Sequence, residues 1–293
     1  MNRSLRFLAA LGAFAVVASG FAWDATGHMV IAAIAEGRLN KKAWDECDRL
    51  LKIGGTPNTK GFVASSCWAD DTKSPATAPW HYIDIAFRID GRPVQTKPAD
   101  ENVVWAINHF SDILKDKSKP DAERADALRY LIHFVADVHQ PLHAATMESD
   151  EHPAGDRGGN EFPIKAGDFF TNLKNPPTNL HSLWDMGCGL FLPDAETRPL
   201  APDAEGRLRI TGQNLTIQYS TAKFGDQLKD LNPADWAEES NTTAKVFAYK
   251  VRTGGELDLQ YMTIGKTIAG QRATLAGYRL ATLLNQLVGS GKS

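Results

Sequence analysis

"KPDAERADALRYLIHFVADVHQPLH" (residues 119–143) is the stretch on which the fold turns. Pro120, Asp121 and Glu123 are helix-start signals, and Pro141 is a stop. With His133 at the origin of a helical wheel, Asp137 falls at about 40°, Gln140 at about −20° and Arg129 at about −40°. Leu128, Leu131, Ile132, Val135 and Val138 gather on the opposite side. One helix is therefore expected, with an apolar face for the core and a polar face carrying His133 and Asp137 four residues apart. Such a pair can grip one ion, although solvated helix faces also carry them. Histidine and aspartate are poor helix formers and costly to bury unpaired, so a reason for them is needed. His139 falls among the aliphatic residues and reads as a core or supporting histidine. His143 lies past Pro141, where a turn can bring its imidazole back over the polar face.

The other histidines supply the reason. His28 stands at the start of an apolar helical run, and His81 stands in "WHYID" (80–84), after "CWADD" (67–71). His181 and Asp185 make a second i,i+4 pair in "HSLWD". His109 and His152 read as ordinary surface residues. Five His/Asp-bearing segments in one domain point to a polynuclear zinc centre of imidazoles and carboxylates; scattered surface polars are the plain alternative.

The helical patterns extend over most of the chain: residues 27–36, 36–53 up to Gly54-Gly55, 101–116, 233–252 and 266–288. "RLRIT" (207–211) is at most a short strand, and residues 145–180 and 190–206 read as loops. The fold expected is all-α, a single mainly helical domain with long loops. At the N-terminus, Arg3 and Arg6 precede an apolar run from Leu8 to Ala18, and Gly20-Phe21-Ala22 offers a small-x-small cleavage site. Residues 1–22 read as a secretory signal peptide and 23–293 as the mature domain, exported to a periplasm or to the medium. The apolar run is too short for a membrane span, and no other segment is long enough.

The 293-residue chain has a formal net charge of −3, and loss of Arg3 and Arg6 with no acidic residue takes this to −5. A broad basic nucleic-acid surface is thereby excluded, so an anionic substrate needs a local attractor. Cys47, Cys67 and Cys188 allow one disulfide and a free thiol but define no framework, and their spacing fits no thiolate zinc site. "NLT" (214–216) and "NTT" (241–243) are glycosylation sequons only in a host that uses them.

In order along the chain, "WDATGH" (23–28), "CWADDTK" (67–73), "WHYID" (80–84), "HFVADVHQPLH" (133–143), "GGN" (158–160), "HSLWD" (181–185) and "AGYRLATLLN" (276–285) resemble the zinc-dependent single-strand-specific nucleases, also called nuclease/3′-nucleotidases. The resemblance implies a mainly helical domain with three Zn2+ ions in a cleft. It implies that Asp70, His81, His133 and Asp137 hold one ion, and that His143, His181 and Asp185 hold a second. Trp23, through its α-amino group and carbonyl, holds the third with His28 and a bridging Asp137. It further implies that Lys73, beside Asp70, acts on the transition-state phosphate. Tyr82 stacks on a base, Asp84 bonds the base edge, and Gly158 and Asn160 line the pocket.

The activity implied is hydrolysis of single-stranded DNA and RNA, and of 3′-nucleotides, by a metal-activated hydroxide that cuts P–O3′ and leaves 5′-phosphate ends. The enzyme is expected to be a monomer with no stable protein partner. Two rivals are a zinc-dependent phospholipase C and an exported metal-binding protein without catalysis. "WHYID", "GGN" and an aspartate at 185, where the phospholipases carry glutamate, favour the nuclease, as does Lys73.

A free α-amine with a pKa of ~8 can coordinate metal, whereas an amide nitrogen still joined to Ala22 cannot. The uncleaved chain is therefore expected to bind fewer zinc ions than the chain beginning at Trp23. Metal analysis of the two forms checks this, and equal loading with equal activity would remove the claim.

Overall fold

The computed structural model describes residues 23–192 and 198–290. The expected signal peptide lies outside the described residues. Ten α-helices occur among the described residues: α1 (Ala25–Glu36), α2 (Lys41–Leu51), α3 (Gly61–Ser65), α4 (Trp68–Asp71), α5 (Val103–Lys115), α6 (Asp121–Asp137), α7 (Leu180–Asp185), α8 (Pro202–Gln218), α9 (Pro233–Thr243) and α10 (Leu259–Leu287). The fold is mainly α-helical, as expected. One two-residue parallel pair, β1 (Ala86–Phe87) with β2 (Thr146–Met147), ties the segment after His81 to the segment after His143. No described helix is long and apolar enough to cross a membrane.

Local chemistry explains the boundaries. Asp24 caps α1, its carboxylate accepting from the Gly27 amide at 3.0 Å. Residues 26–35 of α1 are all buried, which is why its sequence is apolar nearly all round. Gly277 of α10 lets α1 approach closely, since a Cβ there would meet Ile34 side-chain carbons at 2.5 and 2.7 Å. Helix α6 packs against α2, α5 and α10. It stops at Asp137, not at Pro141, because a proline disfavours helical geometry in the residue before it; Gln140 is extended, at φ −77° and ψ 120°. A 3-10 turn over Pro141–Ala144 follows and doubles the chain back.

Other expectations move with the tertiary context. "RLRIT" is helical, inside α8, where Ala204, Leu208, Gly212 and Leu215 are buried at helical spacing. Residues 202–206, read as loop, open that helix. The last helix begins at Leu259, capped by Asp258, rather than near Lys266. The pattern at 233–252 divides into α9 and a π-helical turn over Ala244–Ala248. Cys47, Cys67 and Cys188 are all buried free thiols. The Asn241 side-chain amide donates to the Ile85 and Ala144 carbonyls from a buried position, so that sequon is structural.

A buried ionic cluster anchors the turn after α6. The Glu239 carboxylate accepts from Arg272 at 2.8 Å and from Arg279 at 2.7 and 2.8 Å. Arg272 also donates to the His139 carbonyl, and Arg279 donates to His139 Nε2 at 3.0 Å, while His139 Nδ1 donates to the Val135 carbonyl at 2.7 Å. His139 is thus a neutral, buried bridge between α6, α9 and α10, as its position on the wheel suggested. Burial opposes the Glu239 charge, but the two arginines win and hold its pKa down at about 2. The sign follows: its contribution is present above the ordinary carboxylate range and is lost as pH falls toward 2.

Glu239→Gln is expected to lower unfolding free energy by about 3 kcal/mol at neutral pH, because it strands two buried arginines. Denaturant titration at pH 7 and pH 3 checks this. The wild-type advantage should shrink at the lower pH.

Candidate active site

Three of the five histidines of the cluster are aimed by a backbone carbonyl. His133 Nδ1 donates to the Ser66 carbonyl at 2.6 Å, His143 Nδ1 to that of His81 at 2.7 Å, and His181 Nδ1 to that of Gly158 at 2.7 Å. A carbonyl can only accept, so Nδ1 carries the proton in all three and Nε2 presents a lone pair inward. His81 is turned the other way, with Nδ1 at 3.1 Å from His133 Nε2 and 3.0 Å from Asp137 Oδ2. The Asp70 carboxylate stands 3.6 Å from His81 Nδ1 and 3.7 Å from His133 Nε2. His28 Nε2 faces the other Asp137 oxygen at 3.3 Å, and its ring stacks on His133 with centroids 4.0 Å apart. On the far side, His143 and His181 have centroids 4.9 Å apart, and His181 Nε2 lies 3.6 Å from Asp185 Oδ2.

Three donor groups here can each hold a metal ion: His28–His133–Asp137, Asp70–His81–His133 and His143–His181–Asp185. Within each, the ligand atoms lie within 4.8 Å of one another. The hydrogen-bond inventory tests the fit. Asp137 Oδ1, His143 Nε2 and both ring nitrogens of His28 are buried without a hydrogen-bond partner among the described residues. Buried acceptors that face one another with nothing between them are unfavourable unless a cation satisfies them all. The set of imidazole nitrogens and carboxylate oxygens suits zinc-like borderline ions.

Charge makes the same point. Burial lowers the pKa of His133, yet Asp137 and Asp70 outweigh it and raise it to about 9. Burial and the neighbouring His133 drive His28 down to about 4. Burial also lifts Asp24 to about 7 and Asp185 well above the carboxylate range. Positive charge is in demand at one point and repelled at another only ångströms away, and a shared cation site resolves both.

Every residue that the motifs implied for the metal or substrate site lies in this region. Trp23 is fully buried against Phe191, its indole N–H donating to the Ala136 carbonyl at 3.0 Å, next to Asp137. The following amide, of Asp24, donates to the Asp185 carbonyl at 2.9 Å. Lys73 Nζ sits 3.0 Å from Asp70 Oδ1. A cavity of about 210 Å³ opens beside the donors, lined by Lys73, Ala78, His81, Tyr82, Asp84, Leu142, His143, Arg157, Gly158, Asn160 and His181. Tyr82, Asp84, Gly158 and Asn160 thus share one wall system with Lys73. Gly158 is required by packing as well, at φ +64°, where a Cβ would meet the Leu142 carbonyl at 2.4 Å.

Arg129, on the polar side of the wheel, does not join the site. Its guanidinium donates to the Leu51 and Ile53 carbonyls at the end of α2. His109 is exposed and stacks on Trp105, and His152 pairs with Glu161 at 2.9 Å, both outside the cluster.

Three contributors escaped the sequence reading. Gln140 donates to Asp185 Oδ1 at 2.7 Å and so orients it. Buried Asp156 accepts from the Met147 and Gly159 amides and the Tyr249 hydroxyl, holding the "GGN" loop. Arg157 reaches the cavity. A carboxylate two residues before a glycine pair was the available signal for Asp156, and the place of Gln140 beside His133 on the wheel was the signal for it; Arg157 had none.

A buried donor cluster opening on a small cleft with a lysine at its side is the architecture of a phosphoester hydrolase, and the chain belongs to the S1/P1 nuclease family, whose model matches residues 23–289. Among curated proteins it is similar to Endonuclease 2 of Arabidopsis thaliana, 28% identical over 91% of this chain and 91% of the relative. It is similar also to Nuclease P1 of Penicillium citrinum, 26% identical over 92% of this chain and 98% of that protein. Nuclease S1 of Aspergillus oryzae is 25% identical over 97% of this chain and 98% of its own length. The protein is accordingly an enzyme, a phosphodiester hydrolase acting on nucleic acid, as the sequence motifs implied. The phospholipase and the non-catalytic readings are set aside.

Because a ligand that binds only the folded state stabilises it, divalent metal is expected to raise the melting temperature. At a thousandfold excess over Kd the gain is about 4 kcal/mol. A thermal melt with and without chelator checks this; an unchanged transition would contradict the cation-site assignment.

Proposed function

We propose that this chain is an exported, zinc-dependent nuclease of single-stranded DNA and RNA, with 3′-nucleotidase activity, that works as one catalytic domain over residues 23–293 after removal of residues 1–22. Three Zn2+ ions are held by Asp70, His81, His133 and Asp137, by His143, His181 and Asp185, and by His28, Asp137 and the amine and carbonyl of Trp23. The observation that carries this is the convergence of buried lone pairs from His81, His133, Asp70 and Asp137, within 3.0 to 3.7 Å, at the wall of a cleft that also holds Lys73 and Tyr82.

When bound, the ions supply Lewis acidity to phosphoryl oxygens and acidify a nearby water. Concentrated positive charge there also supplies the local attractor that the negative net charge requires. The protein's own groups do the rest. Lys73, held at 3.0 Å from Asp70, presents its ammonium to the phosphate, where it favours the added negative charge of the transition state. Tyr82, 39% exposed, offers a ring face on which a base can stack. Asp84 has no hydrogen-bond or ion-pair partner among the described residues, and so is available to a base edge. Gly158 and Asn160 form the opposite wall. A base stacked in such a cleft must be out of its duplex, which selects single strands.

Cleavage at P–O3′ is expected to leave 5′-phosphate ends, and end-mapping of digested single-stranded DNA decides it. Products with 3′-phosphates would refute the reading. Lys73→Ala should lower kcat by about 10²–10³ with a smaller effect on KM. Tyr82→Ala should instead raise KM by about tenfold, measured on the zinc-loaded enzyme.

A further inference from the structure

The loop that carries Arg157 is built in an unusual way. Arg157, Gly158 and Gly159 lie in succession at φ 56°, 64° and 80°, a region that L side chains rarely adopt. The Arg157 conformation is held from both sides. Its carbonyl accepts from the Asn160 amide at 3.3 Å and from the Asn160 side-chain NH2 at 2.8 Å. Next to it, Asp156 gathers the Gly159 and Met147 amides. A glycine would occupy position 157 without strain, yet an arginine stands there, and its side chain lines the cleft together with Tyr82 and Asp84. Its guanidinium makes a loose contact, 3.8 Å to the exposed Glu161.

Asp84 and Arg157 line the same cleft and interact electrostatically. Burial and then Asp156 push the Asp84 carboxyl up to about 6, and Arg157 opposes them. The cleft therefore offers two acceptor oxygens on Asp84 and a fork of N–H donors on Arg157, over one stacking face. The base edges differ in what they can return. Guanine presents two adjacent donors, N1–H and N2–H, beside the acceptors O6 and N7. Adenine and cytosine each set one amino donor beside a ring-nitrogen acceptor that would face the carboxylate. Thymine and uracil flank a single N–H with two carbonyls. Arginine forked onto O6 and N7 is the commonest specific contact to guanine.

We infer that Arg157 and Asp84 together make the cleft selective for guanine, with Asp84 accepting from the N1 and N2 donors and Arg157 donating to O6 and N7. The inference rests on the reading of this cleft as the base pocket.

The test compares kcat/KM of the zinc-loaded enzyme on four deoxydinucleotides, d(NpA), with N as G, A, C or T. Guanine should lead by about fivefold or more. Replacing it with 7-deazaguanine, which lacks the N7 acceptor, should cost the wild type about fivefold and cost Arg157→Ala nothing further. Asp84→Asn should lose the guanine preference too. Equal rates on the four bases in the wild type would overturn the inference, whether or not Arg157→Ala folds. A 7-deazaguanine penalty that survives in Arg157→Ala would overturn the role of Arg157. Tyr82→Ala separates the two levels: if it raises KM for all four substrates while guanine has no lead, only the selectivity is wrong. If Tyr82→Ala leaves KM untouched for every base, the base-pocket reading falls and the selectivity with it.

Discussion

Four carboxylates, from Asp24, Asp70, Asp137 and Asp185, are packed with five imidazoles into one desolvated volume, and the rest of the architecture serves that constraint. Charges and lone pairs of this density are unfavourable in a dry interior unless each is aimed and a positive counter-charge is shared among them. The aiming is done by backbone. Ser66, His81 and Gly158 carbonyls fix three imidazoles, and each comes from a different segment of chain. The site therefore exists only when those segments are in register, which couples the chemistry to the folding of the whole helical assembly.

The turn after α6 is where packing and function meet. His133 and Asp137 project from the end of α6, Gln140 orients Asp185, and His143 returns over the cluster, all within eleven residues. That segment is pinned from behind by Arg272 and Arg279, through His139. The guanidinium–carboxylate cluster thus acts at a distance as a rigid backing for the donors. It also explains a histidine in the run that takes no part in the donor set: with Nε2 accepting from Arg279 and Nδ1 donating to Val135, His139 is satisfied as a neutral bridge.

How much was legible in the sequence depended on the range over which each signal acts. The α6 helix, its polar pair and the return of His143 after proline follow from local stereochemistry, so the wheel and Pro141 sufficed. "RLRIT" misled because five residues cannot separate a period of two from one of 3.6; the buried set Ala204, Leu208, Gly212 and Leu215 is visible only over the full helix. The beginning of α10 was missed because Gly265 looks like a break, whereas here it admits the Cys188 side chain against the helix.

By itself the sequence determined the helical class, the spacing of the ligand-type residues and, through its ordered motifs, the nuclease family, because these depend on residue type and on neighbours a few positions away. Only the tertiary structure decided which nitrogen of each histidine faces inward, that Asp156 and Gln140 brace the site, and that Arg157 shares the cleft with Asp84. Those facts depend on contacts between segments tens of residues apart, where hydrogen-bond direction and packing, and not periodicity, choose the partner.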